Sequence, residues 1–113
     1  MSYGPKGLND WAEEIHQIAI DHGWWESGER NFGELVALMH SELSEALEAW
    51  REPDAQPYFR VESKPEGWAT ELIDCVIRIL DTLHSADVHI EQVMRAKVDY
   101  NRTRPYRHGG KKI

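Results

Sequence analysis

The spacing of apolar residues in this 113-residue chain is helical almost throughout, and this restricts the fold more than any other feature. Apolar side chains recur every three or four residues, and Gly, Pro and capping residues divide them into four segments. No segment shows the alternation of apolar and polar residues that is typical of a strand. The pattern therefore predicts an all-α protein, a four-helix bundle in a single domain.

The first two predicted helices have clear start signals. The first covers residues 8–22, with Asn9 or Asp10 as its N-cap, and a glycine follows its end. The second covers residues 31–51, with Asn31 as its N-cap, and a proline soon after its end prevents continuation. Two tryptophans lie in the predicted turn between these helices.

The second half of the chain predicts a loop and two more helices. Residues 52–64 contain two prolines and are predicted to form a loop. Ser63 then begins a sequence with capping-box spacing and an early proline, which predicts a third helix over residues 63–85. Asp87 is the predicted start of a fourth helix, which ends near Asn101.

The net charge of −7 is distributed unevenly along the chain. Residues 1–94 hold 19 acids and 6 Lys or Arg, whereas residues 95–113 hold 1 acid and 7 Lys or Arg. An acidic body can attract cations, and a basic tail from about residue 103 can attract phosphates or remain solvated. The acidity of the whole chain argues against binding to duplex nucleic acid, which requires many phosphate contacts.

Cysteine content and hydropathy bear on the location of the protein. No apolar run approaches the roughly 20 residues that a membrane-spanning helix needs. Residues 1–6 lack the apolar stretch of a signal peptide. The single cysteine, Cys75, lies in an apolar helix and is predicted to be a buried structural thiol. These features favour a cytoplasmic protein with no membrane partner.

One glutamate of the second helix lies where an apolar residue is expected. At about 100° per residue, Leu35, Leu38 and Ala46 all fall within about 40° of Glu42. Glu42 is therefore in the middle of the apolar stripe, and Glu45 is at its border. An ionised carboxylate in such a setting is costly unless it is paired, hydrogen-bonded or bound to a metal. Glu42 is accordingly a candidate functional residue.

The third helix carries a second acid pair at the same spacing, Glu71 and Asp74. Taken alone, this pair also fits an ordinary solvent-exposed face. Together, Glu-x-x-Glu in one helix and Glu-x-x-Asp in another can converge as a cluster of four carboxylates. Such a cluster suits Mg²⁺, with Mn²⁺ as a substitute, because these ions prefer oxygen ligands. Without a cation the carboxylates would repel one another, and some would hold protons.

A line of polar residues follows the apolar side of the fourth helix. Lys97 and Asn101 are one turn apart, and Arg104 falls on the same line if the helix continues. This line is a plausible oxyanion clamp. Lys97 equally fits a lysine whose stem covers apolar surface.

Three segments, in this order, resemble the all-α nucleoside triphosphate pyrophosphohydrolases, which include MazG-like proteins, dimeric dUTPases and dCTP pyrophosphatases. The resemblance spans about residues 10–107. The segments are His40-Ser41-Glu42-Leu43-Ser44-Glu45-Ala46-Leu47-Glu48, Glu71-Leu72-Ile73-Asp74 and Lys97-Val98-Asp99-Tyr100-Asn101-Arg102-Thr103-Arg104. Their combination is more specific than any one of them.

The resemblance implies Mg²⁺-dependent cleavage of a (d)NTP between its α and β phosphates, releasing a monophosphate and pyrophosphate. It implies metal binding by Glu42, Glu45, Glu71 and Asp74. It implies phosphate contacts from Lys97, Asn101 and Arg104, and base contacts from His16 and Trp25. Glu42 or Glu45 would be catalytic and accept a proton from the attacking water. It further implies a homodimer or homotetramer in which neighbouring subunits complete each bundle.

Alternatives remain open at this level. Trp25 fits base stacking or a dimer contact equally well, whereas Trp24 fits a base contact less well. His16 taken alone fits a structural role. A di-metal carboxylate oxidase would use Glu-x-x-His pairs, which occur once at Glu13 and His16 and loosely at Asp81-x-x-His84. The two strongest acid pairs lack histidine, which disfavours iron. A non-catalytic helical metal-binding or regulatory module is the second alternative.

Overall fold

The structure is a computed structural model, and it describes residues 4–105. In chain order its elements are α1 (Leu8–Asp21), α2 (Phe32–Arg51), β1 (Phe59–Val61), β2 (Lys64–Glu66), α3 (Trp68–Ser85) and α4 (Ile90–Thr103). The predicted helical architecture is confirmed for these residues, with a small β-hairpin added. None of the four helices is long and apolar enough to cross a lipid bilayer. Residues 106–113, which hold most of the predicted basic tail, lie outside the described part of the chain.

Helix α1 begins with a contact to another helix rather than with a local cap. Its N-cap is Gly7, so the prediction of Asn9 or Asp10 as the cap is wrong. The Asn9 side-chain oxygen instead accepts a hydrogen bond from the Glu91 N–H at 3.2 Å. In return, the Asn9 N–H donates to the Glu91 carboxylate at 2.9 Å. This reciprocal pair joins the start of α1 to the start of α4.

Helix α2 follows the sequence prediction closely. The Asn31 side chain accepts a hydrogen bond from the Glu34 N–H at 3.0 Å, which confirms the predicted N-cap. The helix ends at Arg51, as predicted, two residues before a proline. The turn between α1 and α2 contains Trp24 and Trp25.

The region before α3 contains a hairpin, so the predicted loop over residues 52–64 and the predicted helix start at Ser63 are wrong in part. Strands β1 and β2 pair antiparallel, with Arg60 opposite Pro65. Glu62 occupies the turn with a positive φ of 58°. A proline is tolerated here because the sheet has only two strands, and each strand therefore has an unpaired edge. The capping-box spacing at Ser63 reflects chance rather than a helix start.

Helix α3 starts at a glycine that no other residue could replace without strain. Gly67 has φ 116°, and a Cβ at this position would lie 2.4 Å from the Pro57 carbonyl oxygen. This close approach lets the N–H groups of Trp68 and Ala69 donate to the carbonyls of Gln56 and Pro57, at 3.2 and 3.0 Å. The first turn of α3 is therefore capped by backbone from the preceding loop.

Helix α4 starts later than predicted. Asp87 has φ 57° and belongs to the turn after α3, so its prediction as the helix start is wrong. Aspartate tolerates this left-handed conformation better than most residues. The N-cap is His89, whose side chain accepts a hydrogen bond from the Gln92 N–H at 3.4 Å.

Helix α3 is central to the described structure. It packs against α2 on one side and against α1 on the other. Between α2 and α3, the Cys75 thiol donates to the Met39 carbonyl at 3.5 Å, and its predicted burial is confirmed. A small core forms where α1, α3 and the start of α4 meet, and it consists of Ala12, Leu80 and Ile90.

The described helices do not close a four-helix bundle within one chain. Helix α4 packs mainly against α1, through its N-terminal end. Beyond that end its apolar side chains are exposed, including Val93 at 56% and Met94 at 48%. Large apolar side chains are also exposed on α2 and α3, namely Phe32, Leu43, Leu47, Trp50, Leu72, Ile73, Val76, Ile77 and Ile79. A single chain leaves the apolar faces of three helices only partly covered.

Candidate metal centre

Glu42 is buried, as its position in the apolar stripe predicts. It is 8% exposed, and the other buried residues of α2 are Leu35 and Ala46. The three residues share one face because they are separated by seven and four positions. Glu45, at the border of this face, is exposed. The helix thus presents one buried and one accessible carboxylate three residues apart.

Packing of α2 against α3 brings acids from both helices together. Glu42, Glu45 and Glu71 each offer a carboxylate oxygen, and these oxygens lie within 4.8 Å of one another. Within residues 4–105, no other group of three or more His, Cys, Asp or Glu is arranged in this way. Asp74 lies outside this group, but its charge interacts with that of Glu42.

The donor set fits a hard divalent cation. Mg²⁺ binds carboxylate oxygens at about 2.0–2.1 Å, so two ligands of one ion lie about 3–4 Å apart. The cluster oxygens therefore need to move only slightly to share an ion. An all-carboxylate set matches Mg²⁺ or Mn²⁺ rather than a soft metal.

Two of the acids carry an electrostatic penalty in the absence of a cation. Burial raises the pKa of Glu71, and the carboxylates of Asp74, Glu45 and Glu42 raise it further. Burial also raises the pKa of Asp74, with Glu42 adding to the effect and Arg78 opposing it. Glu71 and Asp74 therefore favour a bound proton or a nearby cation over a free negative charge.

Arg78 is a site residue to which the sequence analysis assigned no role. Its Nε donates to the Glu42 Oε1 at 2.9 Å, and the two side chains are 32% and 11% exposed. A signal was present, because Arg78 is seven residues after Glu71 and lies within about 20° of it around α3. The guanidinium provides the countercharge that a buried Glu42 needs.

A cavity of about 490 Å³ is lined by two of the four acids, Glu42 and Asp74. Its volume is within the range of sites that hold small molecules, about 300–1,000 Å³. Its charged lining consists of Arg30, Glu42, Asp74, Arg78 and Asp81. The rest of its lining comes from Ile15, Ile18, Ala19, His22, Trp24 and Ile77. The cavity therefore combines apolar walls with both signs of charge.

His16 and Trp25, the predicted base contacts, meet at a carboxylate that the sequence analysis did not assign to the site. Asp81 is buried, and one of its oxygens lies 2.6 Å from the His16 Nδ1. The Trp25 Nε1 donates to both Asp81 oxygens at 3.2 Å. His84 stacks on His16 with ring centres 4.8 Å apart. Asp81 follows Asp74 by seven residues, and this spacing was the available signal.

The two tryptophans of the α1–α2 turn face different cavities. Trp24 lines the cavity of the acids, whereas Trp25 and His16 line a neighbouring cavity of about 670 Å³. Arg30 lines both cavities. Its guanidinium carbon is 5.8 Å from the ring centre of Trp24 and 5.3 Å from that of Trp25. These cation–π contacts hold both rings beside the cavities.

The predicted phosphate contacts are not brought to the acids within one chain. Lys97, Asn101 and Arg104 are exposed. The Lys97 ammonium lies 5.4 Å from the ring centre of Tyr100. Arg104 has an extended backbone outside the helix, so the assumed continuation of α4 is wrong. The following proline disfavours a helical conformation at that position.

The Glu-x-x-His and Asp-x-x-His pairs that a di-metal oxidase would use do not converge as a group of three or more metal ligands within residues 4–105. Glu13 is exposed, and it does not join His16, Asp81 and His84 in any metal-binding arrangement within residues 4–105. The acids of α2 and α3 are the candidate metal ligands instead. Comparisons of this chain with protein-family models, with curated proteins and with solved structures found no match.

Proposed function

We propose that this protein is a Mg²⁺-dependent nucleoside triphosphate pyrophosphohydrolase, which converts a (d)NTP and water to a (d)NMP and pyrophosphate. The observation that supports this most is the convergence of Glu42, Glu45 and Glu71 from two helices, beside a cavity lined by two arginines. A triphosphate with its cation requires both signs of charge in one place. The three segments that resemble the all-α pyrophosphohydrolases include these acids.

The acids of α2 and α3 would hold the cation. Glu42, Glu45 and Glu71 supply its ligands, and Asp74 adds negative charge beside them. When bound, Mg²⁺ neutralises phosphate charge and lowers the pKa of a coordinated water.

Glu45 is better placed than Glu42 to accept the proton of the attacking water. It is exposed, whereas Glu42 is buried and engaged by Arg78. The water oxygen bonds to the α phosphorus, and the bond from that phosphorus to the α–β bridging oxygen breaks. Glu45 takes the proton, and pyrophosphate leaves. No side chain of the protein has to form a covalent bond with the substrate.

The aromatic residues of the α1–α2 turn would hold the base. Trp24 lines the cavity of the acids, and stacking a base on an aromatic ring typically contributes about 1–3 kcal/mol. His16 and Trp25 would contact the base from the neighbouring cavity, with their orientation fixed by Asp81. Arg30 lies between these groups and the acids, and therefore suits the sugar or the phosphates.

We also propose that a second copy of the chain completes the site. The apolar residues of α4 are exposed, as are those on α2 and α3. Apolar faces of this extent are typical of subunit interfaces. A second copy packed there would cover Val93 and Met94, and it would bring Lys97 and Asn101 towards a neighbouring set of acids. This arrangement accounts for phosphate contacts that one chain does not assemble.

The proposal is tested by incubating the purified protein with each common NTP and dNTP, first with Mg²⁺ and then with Mn²⁺. Pyrophosphate and monophosphate are expected in equal amounts from at least one nucleotide. A Glu42→Gln variant with the same helical content is the control, and it is expected to be inactive. If the wild-type protein turns over none of the nucleotides with either metal, the enzyme proposal is rejected in favour of a non-catalytic metal-binding or regulatory module.

A further inference from the structure

Arg78 occupies an unusual position, because among the described residues it is the cation hydrogen-bonded to a member of a cluster suited to a metal. Its Nε contacts the Glu42 Oε1 at 2.9 Å, and Glu42 is one of the three acids whose oxygens converge. Arg78 also acts on Asp74, whose pKa it lowers against the effect of burial. In the absence of a metal, the Arg78 guanidinium therefore offsets part of the negative charge of Glu42 and Asp74.

The hydrogen-bond donors of Arg78 other than Nε are available to a ligand. Among the described residues, only its Nε donates a hydrogen bond, so its two terminal NH₂ groups are without a protein acceptor. The side chain is 32% exposed and lines the same cavity as Asp74 and Arg30. A guanidinium with two unused NH₂ groups matches the geometry of a phosphate.

A divalent cation on Glu42 and the Arg78 guanidinium would repel each other across one carboxylate, so an entering cation would weaken the pairing of Arg78 with Glu42. A cation held by Glu42, Glu45 and Glu71 would be only one carboxylate away from Arg78. Like charges at this separation repel, and the effect is stronger in a partly buried site than in water. Arg78 has room to move, because the cavity that it lines adjoins Glu42.

We propose that Arg78 is a phosphate-binding residue that exchanges partners. It pairs with Glu42 while the acids are metal-free, and it transfers to a phosphate of the substrate when the cation enters. This inference rests on the proposed function, and it identifies a phosphate contact within the same chain as the acids. Lys97 and Asn101, by contrast, lie on α4, and Arg104 follows its end; within one chain α4 packs mainly against α1 rather than against the helices that carry the acids.

If Arg78 exchanges partners, replacing it should change the affinity for the metal and the affinity for a phosphate in opposite directions. In Arg78→Gln the competitor for Glu42 is lost, so Mn²⁺ or Mg²⁺ alone should bind about tenfold more tightly. Inorganic pyrophosphate in the presence of Mg²⁺ should bind about tenfold more weakly, because a charge-assisted hydrogen bond is lost. A residue with a merely structural role would weaken both.

Both affinities can be measured on the full chain, by electron paramagnetic resonance for Mn²⁺ and by calorimetry for Mg²⁺ and pyrophosphate. Arg95→Gln is the matched control, because Arg95 pairs with Asp99 on the exposed face of α4 and should change neither affinity. If Arg78→Gln loses its helical content, Arg78→Lys is measured instead. Its metal affinity should rise by about threefold, since lysine keeps the charge but not the Nε donor.

Unchanged or weaker metal binding in both Arg78 variants would overturn the exchange. These binding measurements are independent of whether the protein hydrolyses a nucleotide. Tighter metal binding and weaker pyrophosphate binding in Arg78→Gln would support the exchange even if the wild-type protein hydrolysed no nucleotide. In that case only the proposed function would be rejected.

Discussion

Replacing Glu42 with glutamine should separate the stability of the fold from metal binding. Removal of one partner from a fully buried ion pair costs about 3–5 kcal/mol. The cost here should be smaller, because the Arg78 side chain is 32% exposed and can reach water. The glutamine carbonyl oxygen can also accept the hydrogen bond from the Arg78 Nε. In addition, the variant relieves repulsion with Glu71 and Asp74.

These terms leave an expected loss of about 1 kcal/mol in the metal-free protein, or about 4 °C in the melting temperature. Metal binding should suffer far more. Loss of one of the three converging carboxylates should cost at least about 100-fold in affinity, the upper end of the effects seen around metal ligands. Urea unfolding in EDTA measures the first quantity, and the Mg²⁺-induced rise in melting temperature reports the second. An intact Mg²⁺-induced rise, or a loss above about 4 kcal/mol in EDTA, would refute this account of Glu42.

Three further predictions concern pH, the start of α3 and assembly. Since the folded-state pKa values of Glu71 and Asp74 are raised, the folded protein in EDTA holds these protons more tightly than the unfolded chain does. Their contribution to the free energy of unfolding should therefore fall as the pH rises through these raised pKa values. In Glu71→Gln, the free energy of unfolding measured with urea should depend less on pH. Gly67→Ala should cost about 2–4 kcal/mol in urea unfolding, because φ is 116° and the new Cβ would meet the Pro57 oxygen at 2.4 Å; a loss below about 1 kcal/mol would contradict this. Met94→Glu should shift the protein towards a monomer in light scattering with unchanged helical content, whereas an identical mass for both proteins would count against an interface on α4.

Predictions from the sequence agree best with the structure for features that depend on a single helix. Glu42 could be placed in the buried face of α2 from its spacing to Leu35 and Ala46 alone. The Asn31 cap is equally local, since it involves an N–H three residues away. Such features depend on helix periodicity and on neighbours in sequence, and both can be determined from the amino-acid sequence alone.

The predicted helix starts are wrong where a contact with distant backbone replaces a local capping residue. The start of α3 depends on carbonyls of Gln56 and Pro57 rather than on the capping box at Ser63. Likewise, Asn9 contacts Glu91 instead of capping its own helix. Both contacts join segments that only the fold brings together, so no local pattern could indicate them.

The sequence by itself determined four helical segments, the burial of Glu42 and the two acid pairs, because each follows from the 3.6-residue period of a helix. Only the tertiary structure decided that acids of α2 and α3 converge, that Arg78 neutralises Glu42 and that Asp81 joins His16 to Trp25. Those facts depend on the rotation of each helix about its axis and on the pairing of the helices. The packing of apolar faces sets both, and the periodicity of a single segment contains no information about the orientation of its neighbour.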